Sequence, residues 1–328
     1  HKGKRHPTVA TILSSIGSTL DNMNEHQKAR AMFERAMSIK EQTLGKDHIG
    51  ISVVMNNLAT TYYNEGAFEQ ALALYKRSLA IREKTYGPDH PHVAPTLANM
   101  ARLYSAMAEQ EAENVQAMAS ALMYFKRALA IMESAPESSP MGGVTDVLED
   151  MAKAYVTAGM YIDALTTLQR MIQIFTKQHG TAVCADVARV LNQQGVVYSQ
   201  HLKNSQKALE CHITECEISE AVFGEKDPRV AVVLFLLAAQ YLEIDNERQA
   251  LSCLLKCYNI RAAALGEDHA DTQETKSWLY DLAVLEQDEL PIERFDPHTY
   301  DFLSCEANHT EPESADPPPS SLLVKGKG

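Results

Sequence analysis

The side chains best able to do chemistry in this chain are cysteines, histidines and a set of carboxamides. Cys253 and Cys257 stand one helical turn apart, and Cys211 precedes Cys253 by 42 residues. His212 and Cys216 share the same four-residue spacing. A structural zinc site needs four converging ligands. No CxxC pair is present to supply half of one, so these cysteines are expected as small buried apolar residues. His48, His90 and His269 recur in similar local sequences, but equivalent positions on stacked helices lie about 10 Å apart, too far to share one ion. They are expected to start helices. A phosphate-cradling glycine loop, an HExxH helix and a GxSxG elbow are all missing from the sequence. No catalytic residue, metal or cofactor is therefore expected, and the chain is not expected to be an enzyme.

The carboxamides point to recognition instead. Ser15, Asn57, Asn99, Asp150, Gln193 and Leu236 each lie two residues after an apolar position, namely Leu13, Met55, Leu97, Leu148, Leu191 and Leu234. Asn is a weak helix former, so its use at Asn56, Asn57, Asn99 and Asn192 asks for a reason. A carboxamide both donates and accepts, and a row of them can clamp the main chain of an extended peptide. The candidate peptide-binding residues are Asn56, Asn57, Asn99, Asp150 and Gln193, with Arg189 as the one base among the inward positions and Asp146 and Asp150 opposing it. The competing reading is that these Asn residues cap or space helices locally.

Such a row has meaning only if the chain presents it in register, and the sequence carries a repeat that would do so. His6, His48 and His90 are 42 residues apart, as are Gly45 and Gly87. Aligning on that period gives six units and four filled columns. One column is small (Gly17, Ala59, Ala101, Ala152, Gly195, Ala238) and the next is large (Leu20, Tyr62, Tyr104, Tyr155, Tyr198, Tyr241). A second small column (Ala29, Ala71, Ala121, Ala164, Ala208, Ala250) is followed by a branched one (Ile39, Ile81, Ile131, Ile174, Ile218, Ile260). Within each unit the apolar residues fall at i, i+3, i+4 and i+7, the mark of two amphipathic helices. The small columns fit close helix crossings. Gly66 and Gly159 fit left-handed caps between the two helices, and the Gly-x-x-His/Asp-Pro linkers end one unit and start the next. Periods of this length mean stacked helix pairs. A single pair cannot bury its apolar face, whereas a stack can, and it leaves a concave side lined by the first helix of each pair.

The expected fold is therefore all-α: a right-handed superhelical solenoid of about six helix pairs, near residues 6–47, 48–89, 90–142, 143–183, 184–226 and 227–268. A capping half-repeat follows, carrying Trp278. The third unit is longer by eight residues within Ser105–Ser120, which should lengthen its two helices. Pro95 should delay or kink a helix start, and Ser134–Gly143 should form a looser hinge. In domain terms, residues 1–5 form a basic N-terminal extension, 6–288 the solenoid, and 289–328 an acidic, Pro-rich tail expected to be largely disordered. Its Pro291–Phe302 stretch could fold back into the groove.

Thirty basic against forty-three acidic residues give a net charge of −13. That argues against general nucleic-acid binding. Six cysteines in 328 residues suit a reducing compartment, so a cytoplasmic location is expected, and no apolar run is long enough for a membrane span.

The segment LGKDHIGISVVMNNLATTYYNEGAFEQALALYKRSLAIREKTYGPDHPHVA resembles the tetratricopeptide repeats of kinesin light chains, and the resemblance extends over roughly residues 6–287. In that family the concave groove binds short peptides of cargo adaptors, and the Asn pair of the NNLA motif helps hold the peptide backbone. The resemblance implies that role for Asn56 and Asn57, and more weakly for Asn99. It carries over the peptide-binding fold rather than a motor-cargo role. The family's N-terminal heptad region has no counterpart in these residues, and its basic groove is reduced here to Arg189. LGEDHADTQETKSWLYDLA also resembles the last repeat of clustered-mitochondria proteins. The expected function is a non-enzymatic adaptor or scaffold that takes a neutral or basic peptide segment of a partner protein. The alternatives are a permanent subunit of a large assembly, the repeat region of a longer protein with an upstream catalytic domain, or an RNA-associated role like that of clustered-mitochondria proteins, against which the acidic charge argues.

Overall fold

A computed structural model describes residues 6–110, 114–134 and 143–286. Among them the chain forms thirteen α-helices and no strand. The first unit is α1 (Pro7–Asn22) and α2 (His26–Leu44), followed by α3 (Ile49–Asn64) and α4 (Phe68–Tyr86). The third is α5 (Ala94–Gln110) and α6 (Val115–Ser134), and the fourth α7 (Val144–Thr157) and α8 (Tyr161–His179). Then come α9 (Ala185–Val196) with α10 (Ser205–Phe223), α11 (Pro228–Glu243) with α12 (Glu247–Leu265), and a single closing helix α13 (Ala270–Glu286). Each helix packs on its partner and on the next pair, building a superhelical repeat array. First helices approach one another directly (α1 with α3, α3 with α5, α5 with α7). The first-helix side is thus the inner side of the curve.

The linkers explain the punctuation. At His6, His48, His90 and His269 the ring Nδ1 accepts the backbone N–H two residues on, at 3.2, 3.0, 3.2 and 3.2 Å. Asp227 does the same through Oδ1 at 2.9 Å. These residues satisfy a donor that the first helical turn would otherwise leave unpaired. Pro7 and Pro228 follow directly in the first turn, where no N–H is needed. Pro95 has its expected effect. Pro91–Val93 forms a 3-10 turn, and α5 begins only at Ala94.

Between the helices of a pair, one register is left-handed in the five described connections: Asn24, Gly66, Gly159, Lys203 and Asp245 have φ of 60°, 75°, 72°, 52° and 57°. Glycine takes this conformation freely and the other three residues do so at a cost. The long third unit extends α5 and α6 about a turn each past their counterparts, and the residues between them (111–113) lie outside the described set. So do the expected basic extension (1–5), most of the expected hinge (135–142) and the tail (287–328).

Packing follows the columns. Ala29, Ala71, Ala121, Ala164, Ala208 and Ala250 are fully buried at the helix crossings, whereas Leu20, Tyr62, Tyr104, Ile174, Tyr198 and Tyr241 of the larger columns are partly buried. Two units have glycine in the first small column and a second-helix ring closing in on it, whereas Tyr75 and Phe125 sit in the same second-helix column beside Ala59 and Ala101. A Cβ on Gly17 would stand 2.9 Å from the Phe33 ring, and one on Gly195 would stand 2.5 Å from His212 Nε2. His212 is itself buried, and its Nδ1 shares a hydrogen bond with Glu215 Oε2 at 3.0 Å. After Val196 the first helix of that unit widens into a π-turn over Val197–His201.

On the outer side, second helices are braced by arginines in one column. Arg77 reaches Glu41 at 2.9 Å, Arg127 reaches Glu83 at 2.6 Å, and Arg170 pairs with Glu133. In the next junction both positions are threonine, Thr176 and Thr214. There a cleft of about 730 Å³ opens between α8 and α10, lined by Ile162, Gln169, Gln173, Tyr198, Lys207 and Cys211 among others.

Candidate functional site

The inner side is built from one position per first helix, supplemented by the residues one turn away. In the middle of the array these side chains are largely engaged with one another. Asn99 accepts through Oδ1 from Arg102 Nη1 at 3.0 Å, and the Nε of the same guanidinium pairs with Asp150. Arg102 therefore joins two candidate residues that the sequence left separate. It lies three residues after Asn99, on the next turn of the same face, and it is a second base on this side beside Arg189.

Arg189 pairs with neither Asp146 nor Asp150. Its Nη1 donates to Glu149 Oε2 at 2.6 Å, and its Nη2 lies 3.9 Å from Asp186 Oδ1. Glu149 also receives Lys153 Nζ at 3.0 Å and, through Oε1, the Gln193 amide at 3.4 Å. Burial pushes the Glu149 carboxyl up, but the hydrogen bonds and charges of Lys153 and Arg189 outweigh it and hold its pKa below the ordinary carboxylate value. Asn192 donates to the buried Glu215 at 3.1 Å, which gives that Asn a local structural task. Asp146 is exposed.

Asn56 and Asn57 stand apart from this network. Asn56 Oδ1 is buried with no hydrogen-bond partner, and the same holds for Gln193 Oε1. The Asn57 side chain is half-buried and has no partner among the described residues. Buried polar atoms are almost always paired, so these oxygens and the half-buried Asn57 carboxamide stand out from the engaged side chains of the middle units.

Toward the last repeat the inner side turns apolar. Val232 and Leu236 are 54% and 38% exposed, and Trp278 is 42% exposed with its ring edge-on to Phe235 at 6.0 Å. Trp278 lies 42 residues after Leu236 and so continues the row as a seventh member. The period alone could have placed it there, rather than only on a cap.

The described cysteines are buried or half-buried packing residues. Cys253 and Cys257 are buried, and Cys257 Sγ donates to the Ala231 carbonyl at 3.2 Å. Burial pushes the thiols of Cys211, Cys216 and Cys253 up to about 11, 12 and 11, so they are neutral thiols at pH 7. Among the described residues no cluster of three His, Cys, Asp or Glu could hold a metal ion. Nor is any helix among them long and apolar enough to cross a membrane.

The tetratricopeptide repeat profile matches residues 8–84, 50–134 and 186–263. Among solved structures, a Podosopora anserina kinesin light chain of nearly identical TPR-like repeats superposes with a TM-score of 0.56 at 19% identity, covering 67% of this chain and 98% of that one. BtubC (BKLC) from P. vanneervenii gives 0.55 at 21% identity over 74% of this chain and 92% of that one. At these identities the likeness concerns the fold. A clustered mitochondria protein homolog of Aspergillus clavatus is 34% identical over 101 residues, 30% of this chain. The match covers 8% of that relative's length, as it does for the homolog of Coccidioides immitis at 35% identity.

Proposed function

The chain belongs to the tetratricopeptide-repeat family, and from that premise we propose that it is a non-enzymatic scaffold that holds an extended segment of a partner protein along its inner side. The observation that carries this reading is Asn57, a half-buried carboxamide of the inner row with no partner among the described residues. Every neighbouring charged group of the row except Asp146 is already answered within the chain. The segment's main chain would exchange hydrogen bonds with the Asn57 carboxamide. Asn99, Arg102 and Asp150 would meet it as a fixed polar floor, and Gln193 and Arg189 would do so one unit further on. Because the acid and base charges there cancel in pairs, the uncompensated Asp146 sets the sign, which favours a neutral or basic segment. A cytoplasmic setting fits the neutral, unpaired cysteines.

The test is panning of the purified chain against a displayed library of 12-residue peptides, followed by titration of the recovered sequences. Recovered peptides should bind the Asn57→Ala variant several-fold more weakly and protect α3 and α5 from amide exchange. No enrichment, or binding indifferent to Asn57, would overturn the reading.

A further inference from the structure

One buried column changes character at a single unit. Leu58, Met100, Met151 and Leu237 are buried apolar residues one place before the first small column. In α9 the same place is held by Gln194, which is 7% exposed. Burying a carboxamide where leucine or methionine serves elsewhere costs free energy unless its groups are paired. Gln194 Nε2 reaches Gln169 Oε1 at 3.4 Å, and its Oε1 accepts no hydrogen bond from the described residues.

Gln194 is not sealed in. It lines the cleft of about 730 Å³ between α8 and α10, at the junction where Thr176 and Thr214 stand in place of an arginine and a glutamate. Just beyond it the chain widens into the π-turn Val197–His201. Such turns recur at functional sites, and Tyr198 of this one lines the cleft as well.

The lining says what the cleft would take. Whichever of Gln169 and Gln194 donates to the other, the pair keeps one amide donor and one amide oxygen open. An incoming carboxamide carries one of each and answers both. Gln173, one turn beyond Gln169, has no partner among the described residues and extends the polar wall. Charge adds a second constraint. Arg170 is taken by Glu133, and Lys207 and Glu210 lie one turn apart on the α10 wall with opposite signs. The cleft is therefore balanced within a chain of net charge −13, and it favours an uncharged occupant. Shape adds a third. The α8 wall runs from Ile162 to Gln173 over an apolar floor of Leu165 and Cys211. That is about 16 Å of helix, the span of about five residues of extended chain.

We propose that this cleft is a second recognition site, outside the inner row, for an extended uncharged segment of a partner protein that inserts an Asn or Gln side chain between Gln169 and Gln194. It is independent of the inner side, because Gln193 and Gln194 leave α9 on different faces.

The test is panning of the full chain carrying Asn57→Ala, which removes the inner carboxamide, against a displayed library of 12-residue peptides. Recovered peptides should carry Asn or Gln among uncharged neighbours and bind the unaltered chain equally well. Gln194→Leu, the residue found at Leu58 and Leu237, should weaken them about tenfold without lowering the melting temperature. Gln169→Ala, at an exposed position, should weaken them several-fold and decides alone if Gln194→Leu unfolds. Bound peptide should slow alkylation of Cys211 by iodoacetamide and leave that of Cys253 unchanged. Recovery of no peptide would overturn the proposal. So would binding indifferent to both glutamine variants, or peptides that tolerate Leu in place of their own carboxamide.

Discussion

Replacing Gly195 with alanine puts two effects of opposite sign at one atom. In the middle of a helix, alanine is favoured over glycine by about 0.8–1.0 kcal/mol. Without any steric conflict Gly195→Ala would therefore stabilise the chain. The new Cβ would stand 2.5, 2.6 and 3.0 Å from three atoms of the His212 ring, distances that carbon does not tolerate. The ring cannot simply swing aside, because it is buried and tied to Glu215 at 3.0 Å. Overfilling a packed core costs about 1–3 kcal/mol, and stripping a hydrogen bond from a buried carboxylate costs about 1–3 kcal/mol more. The net expectation is destabilisation by about 1–5 kcal/mol, the helix-propensity gain included. Urea unfolding followed by circular dichroism measures it, and amide exchange in α9 and α10 localises it. Adding His212→Leu supplies the residue found in the same column at Leu168 and Leu254, where the small column holds Ala152 and Ala238. The double variant should recover at least about 1 kcal/mol through coupling of the two sites. A neutral or stabilising Gly195→Ala, or a double variant no better than the sum of its parts, would refute the argument.

Three further outcomes follow from the geometry. Asn57→Ala should leave unfolding unchanged within about 0.5 kcal/mol, because the side chain has no partner among the described residues, while peptide affinity falls by about 2- to 10-fold; a large drop in unfolding free energy would show the Asn to be structural. Lys203→Gly should stabilise by about 0.5–1 kcal/mol in urea titrations, since it relieves a left-handed backbone (φ 52°) at some cost in unfolded-state entropy; destabilisation would mean the Lys203 side chain does more than tolerate the turn. Native Cys211, Cys216 and Cys253 should react slowly with a thiol reagent at pH 8, and their raised pKa values mean the folded state holds protons that the unfolded state loses, so stability should fall as pH climbs from about 9 through 11–12. Fast labelling of the folded chain at pH 8 would contradict their burial.

The sequence carried the fold because a repeat writes the same physical demand several times. The column Ala29 to Ala250 is small at each occurrence since each unit crosses its helices there, and the linker histidines start helices because each one answers the same orphan amide. The inner side was less legible. Asn99, Asp150, Gln193 and Arg189 were picked from their register, but their engagement with Arg102, Glu149 and Lys153 depends on side chains one turn away, and a single column hides these. The glycines at Gly17 and Gly195 looked like ordinary members of a small column. That a ring from the opposite helix fills the missing Cβ became visible only with the pairing of Phe33 and His212.

The threonine pair Thr176 and Thr214, where three other junctions have an arginine and a glutamate, makes the array mechanically uneven. Elements coupled in series share a load, and the softest one takes most of the displacement. A pull or twist along the superhelix would therefore meet less resistance between α8 and α10 than at the three braced junctions, changing the pitch at that point. A long ligand spanning that junction would feel that give as an adjustable distance between its two halves.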